Sequence, residues 1–235
     1  MYAVVFDMDG VILDTENLGI AAWRKAGVKY GISESEIDRV YRLIIGTKTE
    51  RGNEIVRENF GKDFPAEDFR RESGAFIRDV LNTKIPLRPF AREILEFLKK
   101  NGIKIALASS TRYEVVIREL TQEGLIDYFD VIVGGDLVAK SKPEPDIFLK
   151  AMSDLGEKPE NCFIVEDSAN GIRAAYASGA RPIMVPDLVT PTEEIKAMCH
   201  KIFTSLGEVM EYLKNELPYG MNCSCGTLRC DFVTD

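Results

Sequence analysis

The sequence predicts an α/β fold, a doubly wound parallel sheet carrying an inserted helical cap, and three observations predict it. The chain opens on an apolar run, Tyr2-Ala3-Val4-Val5-Phe6, that leads straight into Asp7-Met8-Asp9-Gly10. Beyond residue 85, short β-rich runs alternate with amphipathic helical stretches. Between Asp14 and Thr83 that alternation stops and helical patterns follow one another without a strand. Strand-helix alternation implies parallel strands with right-handed connections, and such a sheet places its ligand site at the carboxyl ends of its strands.

Taken in order, residues 2–6 read as the first strand. Helices are expected over residues 18–30, 34–44, 50–60 and 66–80, with Gly31, Gly46 and the Gly61 to Pro65 stretch as breaks. This insert leaves the sheet at its ligand edge and returns near Pro86-Leu87-Arg88-Pro89. Residues 15–83 are therefore expected to be a cap, residues 1–14 and 84–217 the α/β core, and residues 218–235 a cysteine-containing tail. Phe90, Ile94, Phe97 and Leu98 keep helical spacing, as do Val115, Val116, Glu119 and Leu120, and Ile147, Leu149 and Met152. The remaining strands fall over residues 103–108, 131–133, 162–165 and 182–185. Asp146 and Ser168 stand where they can cap the helices that follow them.

At 235 residues and 45% hydrophobic content the chain can bury a sizeable core. Its net charge of −8 argues against a nucleic-acid groove or an anionic membrane surface as partner. No apolar stretch approaches the roughly 20 residues that span a bilayer, and no basic leader precedes the first strand, so a cytoplasmic protein is expected, and a monomer. Cys162 and Cys199 sit among apolar segments as ordinary reduced thiols. Cys223, Cys225 and Cys230 cluster in the tail, one ligand short of a structural zinc site.

The chemistry gathers at the strand ends. In a strand, residues i and i+2 share a face, so Asp7 and Asp9 are expected to aim their carboxylates the same way. Two such groups need a cation between them, or one ionised and the other protonated. Gly10 lets the chain turn and brings backbone N–H groups close to a ligand. Ser109-Ser110-Thr111 follows the second strand, Lys140-Ser141-Lys142-Pro143 the third, and Glu166-Asp167-Ser168 the fourth. Hydroxyls, a lysine and further acids suit a phosphate bound with a hard cation. Mg²⁺ takes an octahedron of oxygens, which Asp7, Asp167 and Glu166 can supply with water and phosphate. Lys142 offsets the repulsion between a phosphate ester and an attacking carboxylate. Asp7 is then the candidate nucleophile, forming an aspartyl phosphate. Asp9 is the candidate general acid and base, which requires its pKa to lie above that of Asp7. Ser109 and Ser110 offer hydroxyls to the phosphoryl oxygens.

The stretch from Asp7 to Thr15, Ser109 after Ala106-Leu107-Ala108, Lys142-Pro143 with Pro145-Asp146-Ile147-Phe148, and Glu166-Asp167-Ser168 with Gly171 resemble the four ordered motifs of the haloacid dehalogenase-like hydrolases. The resemblance runs over residues 2–185. It is closest to the subgroup containing β-phosphoglucomutase and sugar-phosphate phosphatases, whose cap is inserted directly after the first motif. It implies a Rossmann-like core, Asp7 as nucleophile, Asp9 as acid/base, and Ser109 and Lys142 as phosphate-binding groups. It also implies Mg²⁺ held by Asp7, the Asp9 carbonyl and Asp167, with Glu166 nearby. The expected activity is a Mg²⁺-dependent phosphatase acting on a small phosphorylated metabolite, a sugar phosphate first of all. Two positions depart from the mutase pattern: a histidine four residues beyond Thr15 is replaced by Gly19, and the cap lysine falls near Arg70-Arg71-Glu72, at Glu72. An intramolecular phosphomutase and a non-catalytic phosphate-ester-binding protein remain the alternatives.

Within the insert, Lys48 is the nominated substrate contact. Thr15 at its entry can be hinge, helix cap or substrate contact. Trp23 and Phe76 read as packing, and His200, the one histidine, stands outside every motif.

Overall fold

The computed structural model describes residues 2–45 and 49–217. Lys48 and the three tail cysteines lie outside the described residues. β1 (Ala3–Phe6) is followed by four helices in series, α1 (Thr15–Lys29), α2 (Glu34–Ile44), α3 (Thr49–Phe60) and α4 (Ala66–Leu81). Alternation then resumes with α5 (Ala91–Lys100), β2 (Lys104–Ala108), α6 (Tyr113–Gln122), β3 (Val131–Val133), α7 (Asp146–Leu155) and β4 (Cys162–Glu166). The chain finishes with α8 (Ala169–Ala177), β5 (Arg181–Met184), α9 (Glu193–Met198), β6 (Lys201–Ile202) and α10 (Leu206–Glu216).

The strands form one parallel sheet in the order β3-β2-β1-β4-β5-β6. The direction of winding reverses between β1 and β4, so the crevice at their carboxyl ends is where a ligand site is expected. Alternation along β1 feeds both faces. Val4 and Phe6 join Ile94, Leu98, Val116 and Leu213 of the flanking helices, and Ala3 and Val5 join Phe148, Met152 and Ala174 on the other side. With both faces covered, these strands read as continuous apolar runs.

The four helices of the insert bury their own cluster, in which Trp23 meets Phe69 and Tyr41 edge-on at centroid distances of 4.9 and 5.2 Å. Trp23 therefore serves packing, as expected, and Phe76 lies under Lys25 with 4.1 Å from Nζ to the ring centroid. The insert leaves and returns side by side. Asp14 N–H donates to the Pro86 carbonyl (2.8 Å), Arg88 N–H donates to the Ile12 carbonyl (3.0 Å), and Leu13 pairs antiparallel with Leu87.

Three expectations are corrected and one strand is added. Phe90 does not share the buried face of α5; it precedes the helix at φ +66° and is 47% exposed, while Leu95 takes the core position. Leu149 faces solvent, because Phe148 and Ala151 supply the buried stripe of α7. Asp146 makes no capping bond, since α7 begins at Asp146 itself with Pro145 before it. β6 was not anticipated: two residues are too short to show a period. Ser168 caps α8 as expected, accepting from the Gly171 N–H (3.0 Å). His200 sits just before β6 with Nε2 2.8 Å from the Tyr212 hydroxyl.

Candidate active site

Asp7 extends β1 by one residue, its N–H donating to the Val165 carbonyl at 2.9 Å, and so delivers its side chain to the crevice. Lys142, on the segment before α7, reaches Asp7 Oδ1 at 2.6 Å and Glu166 Oε1 at 2.7 Å with its own side chain 7% exposed. Glu166 is the last residue of β4. Its second oxygen accepts from Ser168 N–H (2.7 Å) and Ser168 Oγ (2.9 Å), so the strand-to-helix turn fixes it completely.

Asp7, Glu166 and Asp167 each present an oxygen within 4.8 Å of one another. One lysine cannot balance three clustered acids. Burial pushes the Asp7 carboxyl from 3.8 up to about 7, with Lys142 opposing and Glu166 and Asp9 adding to the rise. Burial likewise raises Asp167 well above its ordinary value, reinforced by Glu166 and Asp7. Burial alone would lower Lys142, yet Asp7 and Glu166 together hold it above its ordinary value, so it stays a cation. An all-oxygen acid set short of positive charge fits a hard divalent cation. Two glycines let the backbone close on this set. A methyl group at Gly10, which sits at φ +78°, would overlap Asp167 Oδ2, and one at Gly171 would overlap the Glu166 carboxylate.

The Asp9 carboxylate stands outside the cluster formed by Asp7, Glu166 and Asp167. Regular strand ends at Phe6, so the period-two rule no longer applies at Asp9. Its carboxylate instead collects three hydroxyls: Thr15 Oγ1 on Oδ1 (3.0 Å), and Thr111 Oγ1 (3.0 Å) and Ser109 Oγ (3.4 Å) on Oδ2. At the nucleophilic position it is burial that raises the Asp7 carboxyl, against the pull of Lys142. Thr15 is the first residue of α1 rather than its cap, and holds Asp9. Ser109 is fully buried and spends its hydroxyl on Asp9 while accepting from Thr111 N–H (3.0 Å), whereas Ser110 is exposed to the cavity.

A cavity of about 600 Å³ opens beside Lys142, Asp167, Ser110 and Ser141 and runs toward Glu16 and Asp187. Sequence reasoning missed Glu16, Asp187 and the grip of Thr111 on Asp9. Thr111 was visible within the Ser-Ser-Thr segment; the other two belong to no motif and carried no signal. The two positions that depart from the mutase pattern are also occupied. The space beside Gly19 is filled by the Tyr41 hydroxyl, and Glu72 pairs with Lys29 at 2.5 Å, outside the cavity lining.

A phosphorylated carbohydrates phosphatase of Thermotoga maritima is 37% identical over 183 residues, covering 78% of this chain and 84% of that protein. The fructose-1-phosphate phosphatase of Escherichia coli is 33% identical over 178 residues, covering 75% and 92%. Among solved structures, CbbY of Rhodobacter sphaeroides in complex with phosphate superposes with a TM-score of 0.64 at 30% identity, covering 89% of this chain and 96% of that one. The family model for haloacid dehalogenase-like hydrolases matches residues 4–185, a span that runs from the strand bearing Asp7 to the loop beyond β5. Since that span holds all four strand-end segments, which meet where Lys142 reaches Asp7, Glu166 and the Ala108 carbonyl, the chain belongs to the haloacid dehalogenase-like hydrolases.

Proposed function

We propose that the chain is a Mg²⁺-dependent phosphatase of small phosphorylated metabolites, sugar phosphates in particular, working through a phosphorylated Asp7. The observation that carries this is a buried lysine binding two of three clustered acids at the switch point of a parallel sheet, beside a cavity. The names of the relatives, phosphatases of phosphorylated carbohydrates and of fructose 1-phosphate, support the substrate class.

In this reading an Asp7 oxygen attacks phosphorus while Asp9 gives a proton to the departing alcohol oxygen and the P–O bond to that alcohol breaks. Asp9 then takes a proton from water, which attacks the same phosphorus and frees Asp7. Lys142 offsets negative charge on the phosphoryl oxygens throughout. Asp7, Asp167 and Glu166 are the residues that would hold Mg²⁺, whose contribution is further neutralisation at those oxygens. Thr15, Ser109 and Thr111 hold the Asp9 carboxylate. The test is steady-state phosphate release from a panel of sugar phosphates with and without EDTA. Release that stops on chelation is expected; no release, or release indifferent to EDTA, overturns the reading. Isomer formed faster than inorganic phosphate, with dependence on a bisphosphate, would replace it by the mutase.

A further inference from the structure

The three tail thiols lack a fourth ligand, and the described chain ends beside one. Cys223, Cys225 and Cys230 lie outside the described residues, and the chain leads to them from Leu217, a buried residue directly beyond α10. Earlier on that helix the Tyr212 hydroxyl stands 2.8 Å from Nε2 of His200, the one histidine. Glu216, one turn beyond Tyr212, lies within electrostatic reach of the same imidazole. From Tyr212 to Leu217 the chain advances about 8 Å along the helix axis. An extended chain from Leu217 to Cys223 spans up to about 20 Å, enough to bring the first thiol to that imidazole.

His200 is prepared as a ligand. It is exposed, and its Nδ1 makes no hydrogen bond among the described residues. With Nε2–H donating to the Tyr212 hydroxyl, Nδ1 carries the lone pair, which is how metal-binding imidazoles are oriented. Burial, then Arg181 and Lys201, hold the imidazole below its ordinary value, so it is neutral above about pH 7. The ring packs against Phe163 and Tyr212 at centroid distances of 5.9 and 6.1 Å. Arg181 lies 5.2 Å over the Phe163 ring and Lys201 5.8 Å over that of Tyr212. Zn²⁺ bound by three thiolates is a net anion, and these two cations supply the opposite charge.

None of these groups serves phosphate chemistry. His200 N–H donates to the Pro182 carbonyl (2.7 Å) near the amino end of β5, so it stands at the sheet edge opposite to Asp7. Three thiolates and one imidazole are the donor set of a structural Zn²⁺, whereas the carboxylates around Asp7 suit a hard cation. We propose that His200, with Cys223, Cys225 and Cys230, forms a Cys3His site for a structural Zn²⁺ that fastens residues 218–235 to the amino edge of the sheet. Tyr212 is a positioning residue, acting through His200. The site is independent of the phosphatase reading.

The experiment uses the full chain, reduced and stripped of metal, titrated with Zn²⁺ and separately with Co²⁺ in excess Mg²⁺, which occupies the acid cluster. One Zn²⁺ per chain is expected to survive gel filtration, and Co²⁺ is expected to give the intense visible bands of a tetrahedral site with a thiolate charge-transfer band. Cys223→Ser, Cys225→Ser and Cys230→Ser together are expected to abolish both. His200→Gln is expected to weaken Zn²⁺ binding by about tenfold or more, measured against a chelating indicator, and to change the visible bands while keeping the thiolate band. Tyr212→Phe is expected to weaken it about tenfold. His200→Cys supplies a fourth thiolate and is expected to restore tight binding with a stronger charge-transfer band, so it carries the test if His200→Gln does not fold. A parent that retains no Zn²⁺, a triple serine variant that retains as much as the parent, or His200→Gln with the parent's affinity and spectrum overturns the proposal. An unchanged charge-transfer band in His200→Cys overturns it as well.

Discussion

Two of three clustered acids share one buried lysine in this molecule, and the consequences are measurable one side chain at a time. The folded-state pKa of Asp7 is about 7 against an ordinary value of 3.8, so the folded protein binds that proton more tightly than the unfolded chain does. The stability this contributes is complete below about pH 4 and is lost as pH rises through about 7. In EDTA, the parent is therefore expected to melt lower at pH 8 than at pH 5. Asp7→Asn is expected to shrink that difference and to gain about 1 kcal/mol at pH 8, roughly 2–4 °C in Tm, since Lys142 keeps Glu166 as partner. The same variant should lose phosphate release by at least about 10³-fold, because an amide is no nucleophile at phosphorus. Lys142→Met has the opposite sign. It strands Asp7 and Glu166 without a cation and is expected to cost about 3 kcal/mol in urea unfolding at pH 7.5. The sequence made Asp7, Lys142, Glu166 and Asp167 legible because charge at strand ends in an α/β pattern has few structural explanations. It misplaced the Asp9 carboxylate because the extent of regular strand, one or two residues, decides which way a side chain points, and no propensity resolves that.

Secondary-structure elements hold the acids through close approach as well as through their side chains. Where α8 starts, Gly171 leaves no more than the room Glu166 occupies, and Ser168 both caps the helix and binds the same carboxylate. Gly171→Ala is expected to displace Glu166 and raise the Mg²⁺ concentration for half-maximal activity about tenfold or more, with far-UV circular dichroism unchanged. A metal requirement equal to the parent's would show that Glu166 has no part in holding the ion. The elements themselves were largely visible: the four helices of the insert begin and end within about three residues of the positions read from periodicity. What escaped was short or contrary to pattern. β6 has two residues, and Phe90 and Leu149 are apolar side chains that the fold leaves outside because Leu95, Phe148 and Ala151 fill the available space.

Across the whole molecule, the proposed Mg²⁺ site would couple ion binding to folding, since the unfolded chain does not assemble Asp7, Glu166 and Asp167 from residues 7 and 166–167. Adding Mg²⁺ at about 100 times its dissociation constant is expected to stabilise the protein by about 2.7 kcal/mol, roughly 5–10 °C in Tm, and to do so less in Asp7→Asn. A melting curve indifferent to Mg²⁺ would remove the ion from this site. The cavity wall at Glu16 and Asp187 was illegible because its two halves come from residues about 170 apart, brought together by the packing of Leu188 against the insert's own cluster and by Arg88, which binds both Asp14 and Asp187. The paired crossing at Leu13 and Leu87 has a wider meaning. Since departure and return of the helical segment are hydrogen-bonded neighbours, the sheet beneath meets that segment as a loop already closed, at little entropic expense whatever its length. A short turn joining residue 14 to residue 86 should leave the strands able to assemble, and a foreign module could be grafted at the same joint, giving evolution a way to exchange substrate preference without rebuilding the chemistry below.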